Sequence, residues 1–341
     1  MIERIGRRTL RFSDPPRLLS AAAAVGQKEG AGPLGAQFDY VARNDRMGQK
    51  SWELAESALQ RTAIDLALQK GGLTRDRLDL ILAGDLLNQC AGSFLASLHA
   101  GVPYLGQYGA CSTMAQGLAL GACLTASGAA QRLLAAASSH FCSAERQYRF
   151  PLAYGGQRAP TAQWTATAAG AAVLAAPGAA KSSPLRITHA VFGRMVELGV
   201  TDANNMGAAM APAACDTLAA LLADLGAQPR DFDRIVTGDL GRVGADLLLT
   251  LLRGEGIDFA PVYADCGVLL FGEGQDTHAG GSGCGCSAAV LCGPLLRELQ
   301  AGKCRRLVLA GTGAMMSPTT VQQGQPIAGI CHAVVIERSG A

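Results

Sequence analysis

Aromatic side chains are scarce in this sequence, 5% of 341 residues with two tryptophans, and charged residues make up only 16%. A chain with so little charge and 49% hydrophobic residues has the apolar content for a large, well-filled core, which excludes disorder as its ground state. The net charge is +2 and no long basic stripe occurs, which argues against nucleic acid as a partner. No run of about 20 uncharged apolar residues of the kind a membrane span needs is present. Ala115–Ala137 comes nearest, and it is interrupted by Gln116, Gln131 and Arg132. Neither a phosphate-binding loop nor a dinucleotide fingerprint is found. Cys284 and Cys286 form a lone C-x-C with no second pair at zinc spacing, so no metal site is expected. Eleven cysteines are an odd number, scattered through apolar stretches such as those around Cys123, Cys215, Cys292 and Cys331. They read as small hydrophobes of a reducing compartment, since no signal peptide precedes them.

What is abundant is glycine, 43 residues, and an internal duplication. DRLDLILAGDLLN (76–88) returns as DFDRIVTGDLGRV (231–243), with Asp79 matching Asp233 and Asp85 matching Asp239, each separated by 154 residues. An amphipathic helix precedes each copy, 51–70 and 211–226. In the first, Ser51 is placed to cap, and Leu54, Ala58, Leu59, Ala63 and Leu66 recur at helical spacing. A glycine- and cysteine-rich turn follows each copy and opens a long helix of small residues, 109–128 and 280–302. Each of these feeds an apolar strand, 131–140 and 304–314. Such alternation builds a layered α/β fold, here two halves spanning residues 1–178 and 179–341.

A small residue, a cysteine and another small residue before a buried helix, repeated across two α/β halves, resemble the thiolase superfamily. The pattern is nearest to condensing enzymes of the ketoacyl synthase III type. The resemblance implies a five-layered αβαβα fold, with Cys111 at the nucleophile's position on a helix N-terminus that favours thiolate. The same position also suits a cysteine that is merely a small residue in a tight elbow. The partners that condensation needs do not follow. Where the resemblance places a histidine, the sequence reads Thr237-Gly238-Asp239-Leu240. Where it places an asparagine, it reads Gly281-Ser282-Gly283-Cys284. His332, the only late histidine, is expected to be a satisfied core or loop imidazole.

Polar residues nevertheless crowd the loops that this fold turns toward its cleft: Asp85 and Asn88, Ser112 beside Cys111, His140, then Glu145, Arg146, Gln147, Tyr148, Arg149 and Gln157, with Asp239 mirroring Asp85. Asp85 and Asp239 suit either strand caps or pocket groups. Arg146 and Arg149 suit either solvated charges or a fork for an anionic planar ligand. Strings spread along the chain, among them NDRMGQKSWELAE (44–56), AGDLLNQ (83–89), GACST (109–113), AERQYRFP (144–151), AGGSGCGCSA (279–288) and TGAMMSPTTVQQ (312–323), resemble the family of stage V sporulation protein AD. That resemblance implies a non-catalytic protein that binds dipicolinic acid, or its calcium chelate, in the old cleft. It implies a role in uptake into developing spores and in release at germination. It further implies partners among the SpoVA membrane complex, a place at the spore inner membrane reached through those partners, and no cofactor beyond calcium brought by the ligand. Pocket residues implied are Asp85, Cys111 and His140, with Arg146 and its neighbours. Acyl transfer from Cys111, and a structural subunit with a vestigial cleft, stay open as alternatives, as does a homodimer.

Overall fold

The computed structural model describes residues 1–148, 157–179 and 183–339. In chain order its strands are β1 Ile2–Ile5, β2 Thr9–Phe12, β3 Arg17–Val25, β4 Tyr40–Val41, β5 Leu80–Gly84, β6 Tyr104–Gly106, β7 Arg132–Ser139, β8 Trp164–Thr165 and β9 Ala168–Ala175. They continue with β10 Leu185–Val191, β11 Arg234–Thr237, β12 Tyr263–Asp265, β13 Gly281–Ser282, β14 Arg306–Met315 and β15 Ala328–Arg338. The helices that matter most are α1 Gln27–Gly30, α2 Trp52–Lys70, α3 Ala91–Ser97, α4 Thr113–Ala126, α5 Phe141–Tyr148, α6 Met206–Leu225, α7 Gly241–Gly254, α8 Cys266–Leu270 and α9 Cys284–Val290.

The duplication is written into the sheet. Its order is β12-β11-β14-β15-β10-β3-β9-β7-β5-β6, which reads the same from either end once each strand is matched with its counterpart. The centre of this palindrome is β3 beside β10, which touch through one pair, Arg17 and Arg186. The chain changes halves between the end of β9 and the start of β10. The amino-terminal hairpin is an exception, because β2 pairs with β10 and Asp224 of α6 takes the backbone N–H groups of Arg7, Arg8 and Thr9. These first residues therefore belong structurally to the second half.

Helices α4 and α9 lie between the two halves, α4 touching β7, β14 and β15, and α9 touching β7 and β9. Helix α2 covers the outer face of the first half and α6 that of the second. The result is five layers. Small residues let the central layer approach the sheet closely. A Cβ on Gly285 would lie 2.1 Å from the Ala168 carbonyl oxygen, and one on Gly170 would lie 2.3 Å from that of Ala288. The repeated aspartates perform one task twice. Asp79 accepts the N–H groups of Gln131 and Arg132 at 2.6 and 2.9 Å, and Asp233 those of Arg305 and Arg306, both at 2.8 Å. Each pins the start of a long strand beside its own.

Three local features depart from the sequence expectation. In α2 the Ser51 cap holds, its Oγ accepting from Leu54 N at 3.2 Å. The buried face, however, carries Glu56, Ser57 and Gln60, while Leu54 is 38% exposed. Helix α6 starts five residues before the expected position, at Met206, where Asn205 caps Ala208 N. It is the one helix among the described residues long and apolar enough to cross a membrane, yet it packs on β14, β15 and α7 as a core element. The second central helix is not continuous: α9 passes through a π turn, 291–295, which contains Pro294. Proline has no N–H to continue the regular ladder, and a widened turn accommodates that loss.

Candidate functional site

The turn before α4 is a tight elbow. Ala110 adopts a left-handed backbone with φ +48°, and Gly109 beside it leaves room for the Gln116 side chain, whose Oε1 would lie 2.2 Å from a Cβ there. Ser112 Oγ donates to the Gly109 carbonyl at 2.6 Å, and Thr113 Oγ1 donates to that of Ala110 at 2.7 Å. The N–H groups of Ser112 and Thr113 are also taken, by the carbonyls of Gly109 and Ala110. Cys111 is carried on this elbow and is 5% exposed at the bottom of a cleft.

The second half supplies what faces the thiol. Asp239, on the loop after β11, is fully buried. Its Oδ2 accepts from Gly283 N at 2.8 Å and Ser282 Oγ at 3.2 Å, and its Oδ1 accepts from Thr312 Oγ1 at 2.8 Å. Gln163 clamps the arrangement, its amide donating to the carbonyls of Asp239 at 2.6 Å and Gly281 at 2.7 Å. The neighbouring Trp164 stacks on Phe141 at 3.8 Å and carries Lys28 on its ring at 3.9 Å. Beneath the loop, Asp265 accepts from Thr237 Oγ1, Leu240 N, Gly241 N and Val268 N between 2.7 and 3.1 Å. Burial raises its carboxyl to about 7 against those donors. Burial, then the Asp239 charge, push the Cys111 thiol well above its ordinary range.

The cleft above Cys111 and Ser282 is narrow, with an interior of about 50 Å³, room for a few water molecules at roughly 10–15 Å³ each. Its sides are largely apolar and aromatic. Tyr148 OH donates to the Leu86 carbonyl at 2.6 Å and lies 3.2 Å from Tyr108 OH, and Tyr108, 40% exposed, stands at the mouth. Met206 and Met316 complete the rim, and Glu145, paired with Arg158 at 3.4 Å, adds a carboxylate.

Of the described residues singled out from sequence as ligand contacts, only Cys111 lines this cleft, joined by Glu145 and Tyr148 from the polar segment after His140. Asp85 is buried in the first half, accepting from Leu87 N at 2.8 Å and Ser93 N at 2.7 Å beside Glu56, and burial raises its carboxyl. Ser112 holds the elbow. His140 has both nitrogens engaged. Nδ1 accepts from Cys142 N at 3.1 Å, so Nε2 carries the hydrogen and donates to the Asp45 carbonyl at 2.9 Å. Its imidazole is buried against Trp52 and held below its ordinary pKa by that burial. Asn88 and Arg146 lie on a separate shallow groove, where Arg146 pairs with Glu53. Gln157 is exposed, and Arg149 lies outside the described residues. His332 accepts from Gly193 N at 3.1 Å and is neutral, burial lowering its pKa to about 4. Sequence reasoning placed Asp239 and Ser282 at the sites of missing groups, and weighed a pocket role for Asp239 without assigning it to the ligand. It missed Tyr108 and Met206, because nothing in their spacing marks a surface shared between two halves. Among the described residues no group of three or more His, Cys, Asp or Glu side chains could hold a metal ion.

A cysteine on a left-handed elbow, opening a central helix between two duplicated halves, defines a thiolase-like protein. Solved structures agree in fold: the 3-oxoacyl-[acyl-carrier-protein] synthase III of Aquifex aeolicus has a TM-score of 0.57 and 14% identity, over 94% of this chain and 99% of that one. OleA of Xanthomonas campestris, bound with cerulenin, has a TM-score of 0.60 and 16% identity, over 95% and 96%. The chain belongs to the stage V sporulation protein AD family, whose sequence model matches residues 6–337. Stage V sporulation protein AD of Bacillus subtilis (strain 168) is 44% identical over 336 residues, 98% of each chain.

Proposed function

We propose that this member of the family is a binding protein without turnover. Its ligand is dipicolinic acid or the calcium chelate of that acid, held in the cleft above Cys111 during uptake into developing spores and release at germination. It works with the other subunits of the SpoVA membrane complex at the spore inner membrane, as a monomer or a homodimer. The observation that carries the reading is the set of groups around the thiol. Asp239, Ser282 and Gly283 stand where a condensing enzyme needs a histidine and an asparagine. Tyrosines and methionines on the walls suit a flat aromatic ring. A free dianion would meet the charges of Asp239 and Glu145, which a calcium ion between ligand and protein would offset. The cleft is too narrow for the ring as it stands, so Tyr108, Tyr148 and Met316 must turn aside on binding.

Calorimetric titration of the purified protein with dipicolinate, with and without calcium, tests the reading. Saturable binding is expected, and Ala203→Trp at the cleft mouth should abolish it. No saturable heat under either condition, or an Ala203→Trp variant of unchanged affinity, would overturn it. The elbow and helix N-terminus at Cys111 favour a second reading, acyl transfer from this thiol. Incubation with acyl-CoA and mass spectrometry of Cys111 decides between the two, since an adduct that turns over requires an enzyme. A vestigial cleft in a structural subunit is the reading left if neither ligand nor acyl group is taken up.

A further inference from the structure

The amino-terminal hairpin lies on the second half, and the fold turns its tip into one wall of a charged groove. Gly6, with φ +55°, makes the turn between β1 and β2. Asp224 of α6 fixes the tip by accepting the Arg7, Arg8 and Thr9 N–H groups at 2.8, 3.0 and 3.0 Å and Thr9 Oγ1 at 2.8 Å. Arg4, Arg7 and Arg8 of the hairpin are met there by Arg194, from the loop between β10 and α6. With Asp216 of α6 they line an open groove of about 430 Å³. Asp216 holds two of them, accepting from Arg8 Nη1 at 2.7 Å and Arg194 Nε at 2.9 Å. Arg4 Nε donates to the Arg7 carbonyl at 3.0 Å, and both residues are exposed. Neighbouring carboxylates are engaged elsewhere: Asp224 with the hairpin backbone, Glu3 with Arg11 at 2.5 Å, and Glu197 with Gly199 N.

The loop that brings Arg194 is apolar beyond it. It is held from behind, Gly193 N donating to His332 Nδ1 at 3.1 Å and Val196 exchanging backbone bonds with Gly329 at 2.7 and 2.9 Å. Val196 and Val200 pack on the second-half core, yet Met195 and Leu198 are 65% and 69% exposed, more than any other large hydrophobic among the described residues except Met1.

We propose that this face docks directly on an anionic phospholipid surface, the guanidiniums of Arg4, Arg7 and Arg194 taking headgroup phosphates while Met195 and Leu198 enter the interface. Guanidinium forks match phosphate oxygens, and exposed apolar side chains beside cations are what an interfacial contact uses. An open groove with two of its arginines already shared with Asp216 offers little to a single free anion, whereas a bilayer presents many phosphates at once. A purely acidic protein segment would answer the arginines and leave Met195 and Leu198 in water. The proposal rests on the function proposed above for bringing a membrane near, and it adds a contact that belongs to this chain.

Sedimentation of the full chain with vesicles tests it, phosphatidylglycerol mixed with phosphatidylcholine being compared with phosphatidylcholine alone. Binding is expected only with phosphatidylglycerol. It should weaken roughly tenfold or more between about 0.1 M and about 1 M salt, where the Debye length shrinks from ~10 to ~3 Å. The double reversal Arg4→Glu, Arg7→Glu should lower the affinity by roughly tenfold or more. Asp224 holds the tip through backbone N–H groups, so this variant should keep its fold, which circular dichroism checks. Met195→Ser with Leu198→Ser should weaken binding at both salt concentrations. Equal sedimentation with the two vesicle types overturns the proposal. So does an absence of binding to phosphatidylglycerol at low salt, which would point to an acidic protein segment as the occupant. A folded double reversal that binds phosphatidylglycerol as tightly as wild type also overturns it, as does an unchanged affinity after the two serine substitutions. No dipicolinate enters the assay, so its failure is separate from a failure of ligand binding.

Discussion

Glu29 offers a sharp test of how burial is distributed beside the site. It sits on α1 with its side chain fully buried, one oxygen accepting from Thr167 N at 2.9 Å and the other without a partner among the described residues. Thr167 in turn accepts the Phe141 N–H at 3.2 Å, so Glu29 helps seat the start of α5, the helix that brings Glu145 and Tyr148 to the cleft. Burial, opposed by the Thr167 bond, raises the carboxyl from 4.5 to about 7. Between those values the folded protein binds more protons than the unfolded chain. The contribution to stability is therefore complete below pH 4.5 and is lost as the pH rises to about 7. At about 1.4 kcal/mol per unit, the loss amounts to at most about 3 kcal/mol at alkaline pH. Glu29→Gln keeps an acceptor for Thr167 N and removes the titration, at the expense of an unpaired amide hydrogen worth about 1 kcal/mol. The variant should be more stable than wild type by about 2 kcal/mol near pH 8.5, and equal or slightly weaker near pH 4.5. Urea unfolding followed by circular dichroism across that range measures the difference directly. Parallel pH profiles for the two proteins would refute the reasoning, because they would mean that Glu29 is ionised equally in the folded and unfolded states.

Gly285→Ala should lower stability by about 3 kcal/mol or more, since the added Cβ meets the Ala168 carbonyl oxygen at 2.1 Å and backbone has to shift. An unchanged melting temperature would mean that α9 does not rest on β9 as described. Asp79→Ala and Asp233→Ala should each cost about 1–2 kcal/mol and add in the double variant, being equivalent and remote from one another. Chemical denaturation of the three proteins checks this, and strong non-additivity would contradict independent strand pins. His140→Ala should cost about 2–3 kcal/mol by leaving Cys142 N and the Asp45 carbonyl unmet. It should leave the calorimetric affinity for dipicolinate within about twofold at a temperature where the protein is folded, and a tenfold loss would place His140 in the binding site after all.

The architecture was legible because duplication doubles every signal. Asp79 and Asp233 mark the same turn, two helices of small residues mark the central layer, and GACST marks the elbow. What the sequence hid is of two kinds. The polar face of α2 points inward, where Gln60 donates to Ser93 Oγ at 2.9 Å and Ser138 Oγ at 3.1 Å, and Glu56 accepts from Ser138 and Ser143. Periodicity assigns such residues to solvent, and only the loops and strands around them show that each has a buried partner. The cleft wall was hidden differently. Tyr108, Met206 and Ser282 come from three separate segments, and their meeting depends on how the two halves close around α4.

Asp85 and Asp239 show how one repeated residue diverges. Both follow the first strand of their copy, both are completely buried, and burial raises both carboxyls. Asp85 turns its acceptors to Leu87 N and Ser93 N within its own half, next to Glu56, where it organises the turn into α3. Asp239 is anchored within its half too, by Thr312 and Gly283, and its charge also acts on the thiol of the other half. The difference follows from the elbows. The first half presents Cys111 on a left-handed turn that opens the cleft, whereas Cys284 of the second donates to the Ser138 carbonyl at 2.9 Å and is closed off in the core. Two identical aspartates on a symmetric frame thus face unlike surroundings, and the thiol on the elbow is raised by burial and then by the charge of Asp239. That asymmetry locates the cleft on one side of the pseudo-twofold, where Cys111 lines it and Cys284 does not.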